Sequence, residues 1–298
     1  MRTLCYICSF HQPRIEEMSM LFDTDQLEVY RETGYVIVDC PFPADLTARA
    51  LQAIQRQLIA LEDNTTDTRG NHYRLAPQIP DSYWCALDHS LPFLQMELHD
   101  EIVELARQMV DDRDIYFRNG GINELAPGMS FVWHRDSGEE YVEFMHYFSG
   151  SSPKNGCLRV VPSSHVGPVD ELMADVERRR KTERGSADVD RTKSDVELPG
   201  EVSLSLRPDQ LLVRSSKIFH ATWRNDSDEG RLMHHWLFRA AHEADHRFRF
   251  EDYLTEELVA ALSEEQREVL WLGRDFPLSD KWESERQRER GQVRWGVL

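Results

Sequence analysis

The chain has 298 residues, 40% of them hydrophobic and 30% charged, with a formal net charge of -18. No apolar run approaches the ~20 residues that span a bilayer, and so acidic a surface repels phosphate backbones and anionic lipid. Nucleic acid and membrane are therefore not expected partners, and a small molecule is. Five scattered cysteines, Cys5, Cys8, Cys40, Cys85 and Cys157, do not form a disulfide framework and suit a reducing, cytoplasmic setting.

Residues 1–20 read as a tail, with Met18 and Met20 as alternative starts. Within it, Cys5-x-x-Cys8 and His11 have the residue types of a zinc site but no evident fourth ligand. Residues 21–298 read as one domain. Thr24 and Asp25 are candidate N-caps of a first helix that Gly34 stops, and Tyr35–Val38 is a short buried strand. A second helix is expected from about Pro43 to Leu61, with Leu46, Ala50, Leu51, Ile54 and Leu58 on one stripe. Residues 62–97 show no clear period and read as a long irregular region, and Asp100–Val110 reads as a third helix. This helical part ends at 114.

From Ile115 the pattern becomes that of strands: Ile115–Leu125, Ser130–Asp136, Tyr141–Phe148, Leu158–Pro162, Val202–Leu206, Gln210–Arg214 and Arg231–Arg239. Short strands with long connections predict a mostly β fold with flanking helices, its core (115–240) a double-stranded β-helix of the jelly-roll, cupin-like type. Residues 166–200, dense in charge, read as a solvated insertion, the alternative being a lid. The extension 241–298 returns to helix at Glu256–Leu262 and Glu264–Leu272, with Ser263 and Gln266 at capping-box positions.

Chemistry centres on His134-Arg135-Asp136. On an extended chain, residues i and i+2 point to one face, so an imidazole and a carboxylate converge. A third ligand from a distant strand would complete a 2-His-1-carboxylate triad, which leaves open positions on iron(II) for a co-substrate and O2. A lone His-x-Asp is weak evidence, since about one is expected by chance in such a chain. The context is His220 and Arg231, separated by the turn signal Asn225-Asp226-Ser227-Asp228-Glu229-Gly230. Centring a hairpin on that turn pairs His220 with Arg231, their Cβ atoms roughly 4.5–5.5 Å apart. 2-Oxoglutarate needs such a pair, because its keto-acid end chelates metal and its distal carboxylate suits a guanidinium fork.

These residues, together with Trp133, the segment Asn155-Gly156-Cys157-Leu158-Arg159-Val160-Val161-Pro162-Ser163-Ser164-His165 and Asn225, resemble the phytanoyl-CoA dioxygenase family of iron(II)/2-oxoglutarate oxygenases. The resemblance covers roughly 21–40 and 115–240. It implies His134, Asp136 and His220 as iron ligands, Arg231 as partner of the 2-oxoglutarate carboxylate, His165 as structural and Asn225 as organiser of its turn. The family's Pro-Gly-Asp turn reads Pro208-Asp209-Gln210 here. Halogenases of this architecture replace the carboxylate ligand with a small residue; Asp136 therefore favours hydroxylation or a related hydrogen abstraction.

By strand parity His235 shares the face of Arg231, and Tyr141 and His146 are further pocket candidates. Lys217-Ile218-Phe219, Trp223 and Arg224 are expected to face substrate. Arg118, Asn119 and Asn123 could line the cavity or equally face solvent. The expected activity is hydroxylation of an unactivated C–H in a small polar metabolite or natural-product intermediate, yielding succinate and CO2. The alternatives are a desaturation or epoxidation outcome, and a non-catalytic jelly roll that binds metal and ligand. Oligomeric state leaves no readable signal.

Overall fold

The computed structural model describes residues 24–58, 65–66, 72–76, 87–110, 114–136, 140–180, 194–243, 250 and 254–274. Cys5, Cys8, His11, Met18 and Met20 lie outside them, so the zinc and start-site expectations do too. In chain order the elements are α1 (Thr24–Thr33), β1 (Tyr35–Asp39), α2 (Ala44–Leu58), β2 (Thr65–Thr66), β3 (His72–Ala76), α3 (Leu87–Glu97), α4 (Asp100–Val110), β4 (Ile115–Leu125) and β5 (Val142–Tyr147). There follow β6 (Leu158–Val160), α5 (Asp170–Arg179), β7 (Val202–Leu204), β8 (Gln210–Ser215), β9 (His220–Thr222), β10 (Arg231–Ala240), α6 (Glu256–Ala261) and α7 (Glu264–Val269).

The strands form two antiparallel sheets, a 7-stranded one ordered β1-β8-β5-β10-β4-β3-β2 and a 3-stranded one ordered β7-β6-β9. This is the expected jelly roll. Its central strands have two different faces because side chains alternate. The even-numbered residues Val142 and Phe144 of β5 and Trp236 and Phe238 of β10 face the helices and share a core with Leu94 of α3 and Ile102 of α4. The odd-numbered residues face the smaller sheet. Phe144 and Trp236, cross-strand partners, stack with ring centroids 5.7 Å apart. On the helices' side, amphipathic α2 buries Leu46, Ala50 and Ile54 as its stripe predicts. The capping box of α7 forms as expected: Ser263 accepts from the Gln266 backbone, and Gln266 accepts from that of Ser263. Among the described residues no helix is long and apolar enough to cross a membrane.

Three expectations need correction. Residues 62–97 are not wholly irregular: β3 pairs with β4, and α3 buries Phe93, Leu94 and Met96 despite Pro92 inside it. Packing there overrides the weak local propensity. Residues 130–136 form no ladder, only a single bridge between His134 and His220. The insertion is not simply solvated. Val176 of α5, with Val196 and Leu198, packs against Trp133, Phe219 and Ala221 beneath the smaller sheet. Residues 181–193 lie outside the described part.

Candidate metal and co-substrate centre

Between the two sheets lies a cavity of about 290 Å³, and His134, Asp136, His220 and Arg231 all line it. His134 and His220 are mutual backbone partners: the His134 N–H donates to the His220 carbonyl at 2.8 Å, and the reverse bond is 2.9 Å. Their rings are thereby brought within 4.2 Å, centroid to centroid. Alternation continues on either side. Trp133 turns outward to stack on Phe219, its Nε1 donating to the Val196 carbonyl at 2.8 Å. Arg135 also turns away, donating to the carbonyls of Ser164 and Gly167. Asp136 turns back in, so the i, i+2 expectation holds although the segment is extended chain and not a strand.

The orientation of both imidazoles follows from their partners. Nδ1 of His134 lies 2.6 Å from the Val132 carbonyl, and Nδ1 of His220 lies 3.0 Å from that of Ile218. A carbonyl only accepts, so each Nδ1 carries a proton and each Nε2 is the ring atom turned to the cavity. Both Nε2 atoms meet Asp136 Oδ1, 3.1 Å from His134 Nε2 and 3.6 Å from His220 Nε2. Burial, then the Arg214 charge, pushes His220 well below the ordinary imidazole range. Burial works against ionisation of Asp136, but Arg214, His220 and His134 outweigh it and hold the carboxyl well below its usual range. Two imidazole nitrogens and a carboxylate oxygen thus converge on one point, where a divalent cation could take all three as ligands. One donor atom from each residue lies within 4.8 Å of the others. Octahedral neighbours at ~2.1 Å from a metal stand ~3.0 Å apart, so the donor set fits a divalent ion.

Arg231 enters from the opposite sheet. It is not the ladder partner of His220, as the hairpin reading required: it pairs with Leu125, whereas His220 pairs with Val160. The connecting turn crosses between the sheets instead of folding into a hairpin. Asn225 organises it, bridging to Asn155 and donating from Nδ2 to the carbonyls of Leu125 and Glu229, both at 2.8 Å. Arg231 is 3% exposed, lies over the Tyr147 ring at 4.8 Å and donates through Nη1 to the Gly156 carbonyl. Its Nε is buried without a protein partner among the described residues. Gly156 is required beside it: φ is 82°, and a Cβ there would stand 2.9 Å from the Trp223 carbonyl oxygen. Burial is the main influence on the Arg231 guanidinium and lowers its pKa; an anion with two oxygens suits this fork.

Of the other expected pocket residues, Tyr141 and His235 line the cavity. His146 does not. It has the opposite parity to Tyr141 and lies on the helix side, its Nε2 donating to the Pro208 carbonyl at 2.9 Å and its ring edge-on to Phe148. Trp223 also faces away, one residue past Thr222: its Nε1 donates to Ser203 Oγ at 2.7 Å and Arg159 lies 3.8 Å over its ring. Lys217 pairs with Glu140, Phe219 packs on Trp133 and Arg224 pairs with Asp226, so these do not face the cavity either. His165 donates from Nε2 to the Arg31 carbonyl, a structural place as expected. Arg118, Asn119 and Asn123 resolve inward. A bulge between Leu237 and Phe238 leaves Arg118 opposite no residue of β10, which re-aims it over the Tyr141 ring at 5.1 Å.

Sequence reasoning missed Arg214 and Glu143. They are cross-strand partners on β8 and β5, 3% and 5% exposed, and form an ion pair. Arg214 Nη2 also donates to Asp136 Oδ2 at 2.6 Å, and His235 Nδ1 lies 2.9 Å from Glu143 Oε1. The available signal was one charge of each sign on two otherwise apolar strands.

The sequence profile of the phytanoyl-CoA dioxygenase (PhyH) family matches residues 30–233. The chain belongs to the phytanoyl-CoA dioxygenase family. Similar solved structures carry the family's jelly-roll fold. HygX from Streptomyces hygroscopicus, with nickel and 2-oxoglutarate bound, is 16% identical over 74% of this chain and 88% of its own, with a TM-score of 0.59. EctD from S. alaskensis, with 2-oxoglutarate and 5-hydroxyectoine, is 17% identical over 76% and 79%, with a TM-score of 0.54. The epimerase SnoN from nogalamycin biosynthesis is 17% identical over 73% and 82%, also at 0.54. No curated protein matches the chain by sequence.

Proposed function

We propose that the chain is an iron(II)- and 2-oxoglutarate-dependent oxygenase that hydroxylates an unactivated C–H of a small polar molecule. One observation carries the reading: three lone-pair donors and a buried guanidinium, from opposing sheets, open onto one cavity. His134 Nε2, His220 Nε2 and Asp136 Oδ1 would hold the iron, and Arg231 would take the distal carboxylate of 2-oxoglutarate. The bound pair supplies oxidation of a nearby C–H by O2, coupled to conversion of the keto acid to succinate and CO2.

The chain's own residues bind, orient and exclude water. Met145, Leu158 and Met233 give the space between Arg231 and the triad apolar walls, which strengthens the charged contacts within it. Burial pushes the Tyr147 phenol up to about 12, and burial with Asp136 and Glu143 raises that of Tyr141, so both remain O–H donors at neutral pH. At the other end Arg118, Asn119, Tyr141 and His235 form a polar wall suited to a small polar substrate. SnoN is an epimerase and SnoK a carbocyclase on this same fold, so the fold by itself does not select hydroxylation.

The test is succinate release from 2-oxoglutarate under O2 across a panel of small polar metabolites. The reading predicts a compound that raises succinate formation and itself gains one oxygen. A panel member converted with succinate released but no oxygen gained would replace hydroxylation with another outcome.

A further inference from the structure

We infer that Arg214 is a positioning residue that makes Asp136 a one-oxygen donor. The inference rests on the proposed metal-holding role of His134, Asp136 and His220.

The two oxygens of Asp136 have separate partners. Oδ2 accepts from Arg214 Nη2 at 2.6 Å, whereas Oδ1 faces His134 Nε2 and His220 Nε2 at 3.1 and 3.6 Å. A carboxylate can give a cation one oxygen or both. Giving both would occupy a further position, one that a chelating keto acid needs. The guanidinium, by claiming Oδ2, leaves Oδ1 alone to point at the convergence.

Arg214 can do this because it is itself fixed. Its side chain is 4% exposed, and Glu143 across the strand pair holds the same Nη2. Glu143 is fixed in turn by His235 Nδ1 at 2.9 Å. Arg214 and Glu143 cancel in charge, so the negative charge of Asp136 is left for a cation. An ion pair serving stability alone would need only Arg214 and Glu143; the shared nitrogen on Asp136 is the part that such a role does not explain.

The experiment uses the metal-free full-length chain with Co(II) as probe, whose visible absorption intensity reports coordination number. Wild type is compared with Arg214→Lys and with Arg214→Gln/Glu143→Gln, a double variant that leaves no buried carboxylate facing an empty space. Thermal unfolding verifies the fold of each. In the double variant Co(II) should still bind, while 2-oxoglutarate affinity at saturating Co(II) falls about tenfold or more. The Co(II) spectrum should shift towards higher coordination number before 2-oxoglutarate is added. Arg214→Lys should recover part of the 2-oxoglutarate affinity, and it carries the test if the double variant does not fold. Unchanged 2-oxoglutarate affinity with an unchanged Co(II) spectrum overturns the inference and leaves the metal reading standing. A wild-type chain that takes up no Co(II) overturns the metal reading, and this inference with it.

Discussion

Strands β5 and β10 carry histidines towards both of their faces, and the two faces use them differently. On the helix side, His234 Nε2 lies 2.9 Å from Glu97 Oε1, both side chains fully buried, with Phe93 edge-on to the imidazole. His146 on the same side is closed off by the Pro208 carbonyl and Phe42. On the cavity side, His235 is held through Nδ1 by Glu143, and its Nε2 has no protein partner among the described residues. Burial alone does not separate these histidines. What separates them is whether a polar atom is left over in a space that a ligand can enter. Adjacent positions in β10, His234 and His235, therefore have opposite prospects.

The largest effect is expected on the cavity side, at Asp136. Asp136→Ala should reduce succinate formation to background while the protein still unfolds cooperatively; normal succinate formation would remove the proposed ligand set. Arg231→Ala should weaken 2-oxoglutarate binding by about 2–5 kcal/mol, because it strips the buried partner from a carboxylate. An unchanged apparent affinity would assign that role to another arginine. On the helix side the expected loss is of stability alone. His234→Ala should cost about 2–4 kcal/mol in denaturant unfolding, leaving Glu97 buried without its partner, with Co(II) affinity unchanged. Loss of Co(II) binding in a folded His234→Ala protein would erase the distinction between the faces.

Smaller effects sharpen it. Burial holds the Glu97 carboxyl well above its ordinary range. The folded state therefore keeps a proton that the unfolded chain releases. Stability from that proton is complete below the ordinary carboxyl pKa and is lost as pH rises through the higher folded value. Glu97→Gln should flatten the fall in melting temperature between about pH 5 and pH 8 and leave the variant the more stable at the upper end. An equal slope in both proteins would show that Glu97 is ionised in the fold. The smallest change is expected at Trp223, on the outer face of the smaller sheet. Trp223→Phe should cost about 1 kcal/mol through the lost Ser203 hydrogen bond and leave turnover unchanged.

The legibility of this molecule in its sequence follows the same division. The convergence of His134 and Asp136 was readable because i, i+2 alternation is local and survives even where no strand ladder forms, whereas His220 was set beside them by the family resemblance. The boundaries of β4 and α4 were readable from period and flanking turns. The pairing of His220 with Arg231 was not, because a strong turn signal does not say whether the chain doubles back in one sheet or crosses to another. Asn225 holds the crossing, by bonding to Leu125 of β4 and bridging to Asn155 in the loop before β6. Tyr141 and His146 could not both face the cavity, since five residues apart on a strand means opposite faces; that error was avoidable from parity alone. Arg214 and Glu143 were harder. Each is an isolated charge on an apolar strand, and only the β5–β8 register sets one opposite the other. Arg118 depended on a bulge, which leaves little trace in sequence.

The triad and Arg231 should jointly hold a chelated keto acid, which anaerobic titration of the metal-free protein with iron(II) and 2-oxoglutarate would reveal. The account predicts a visible metal-to-ligand charge-transfer band in the wild type that fails to form in His134→Ala. Metal uptake without that band, or a band of full strength in His134→Ala, would contradict it.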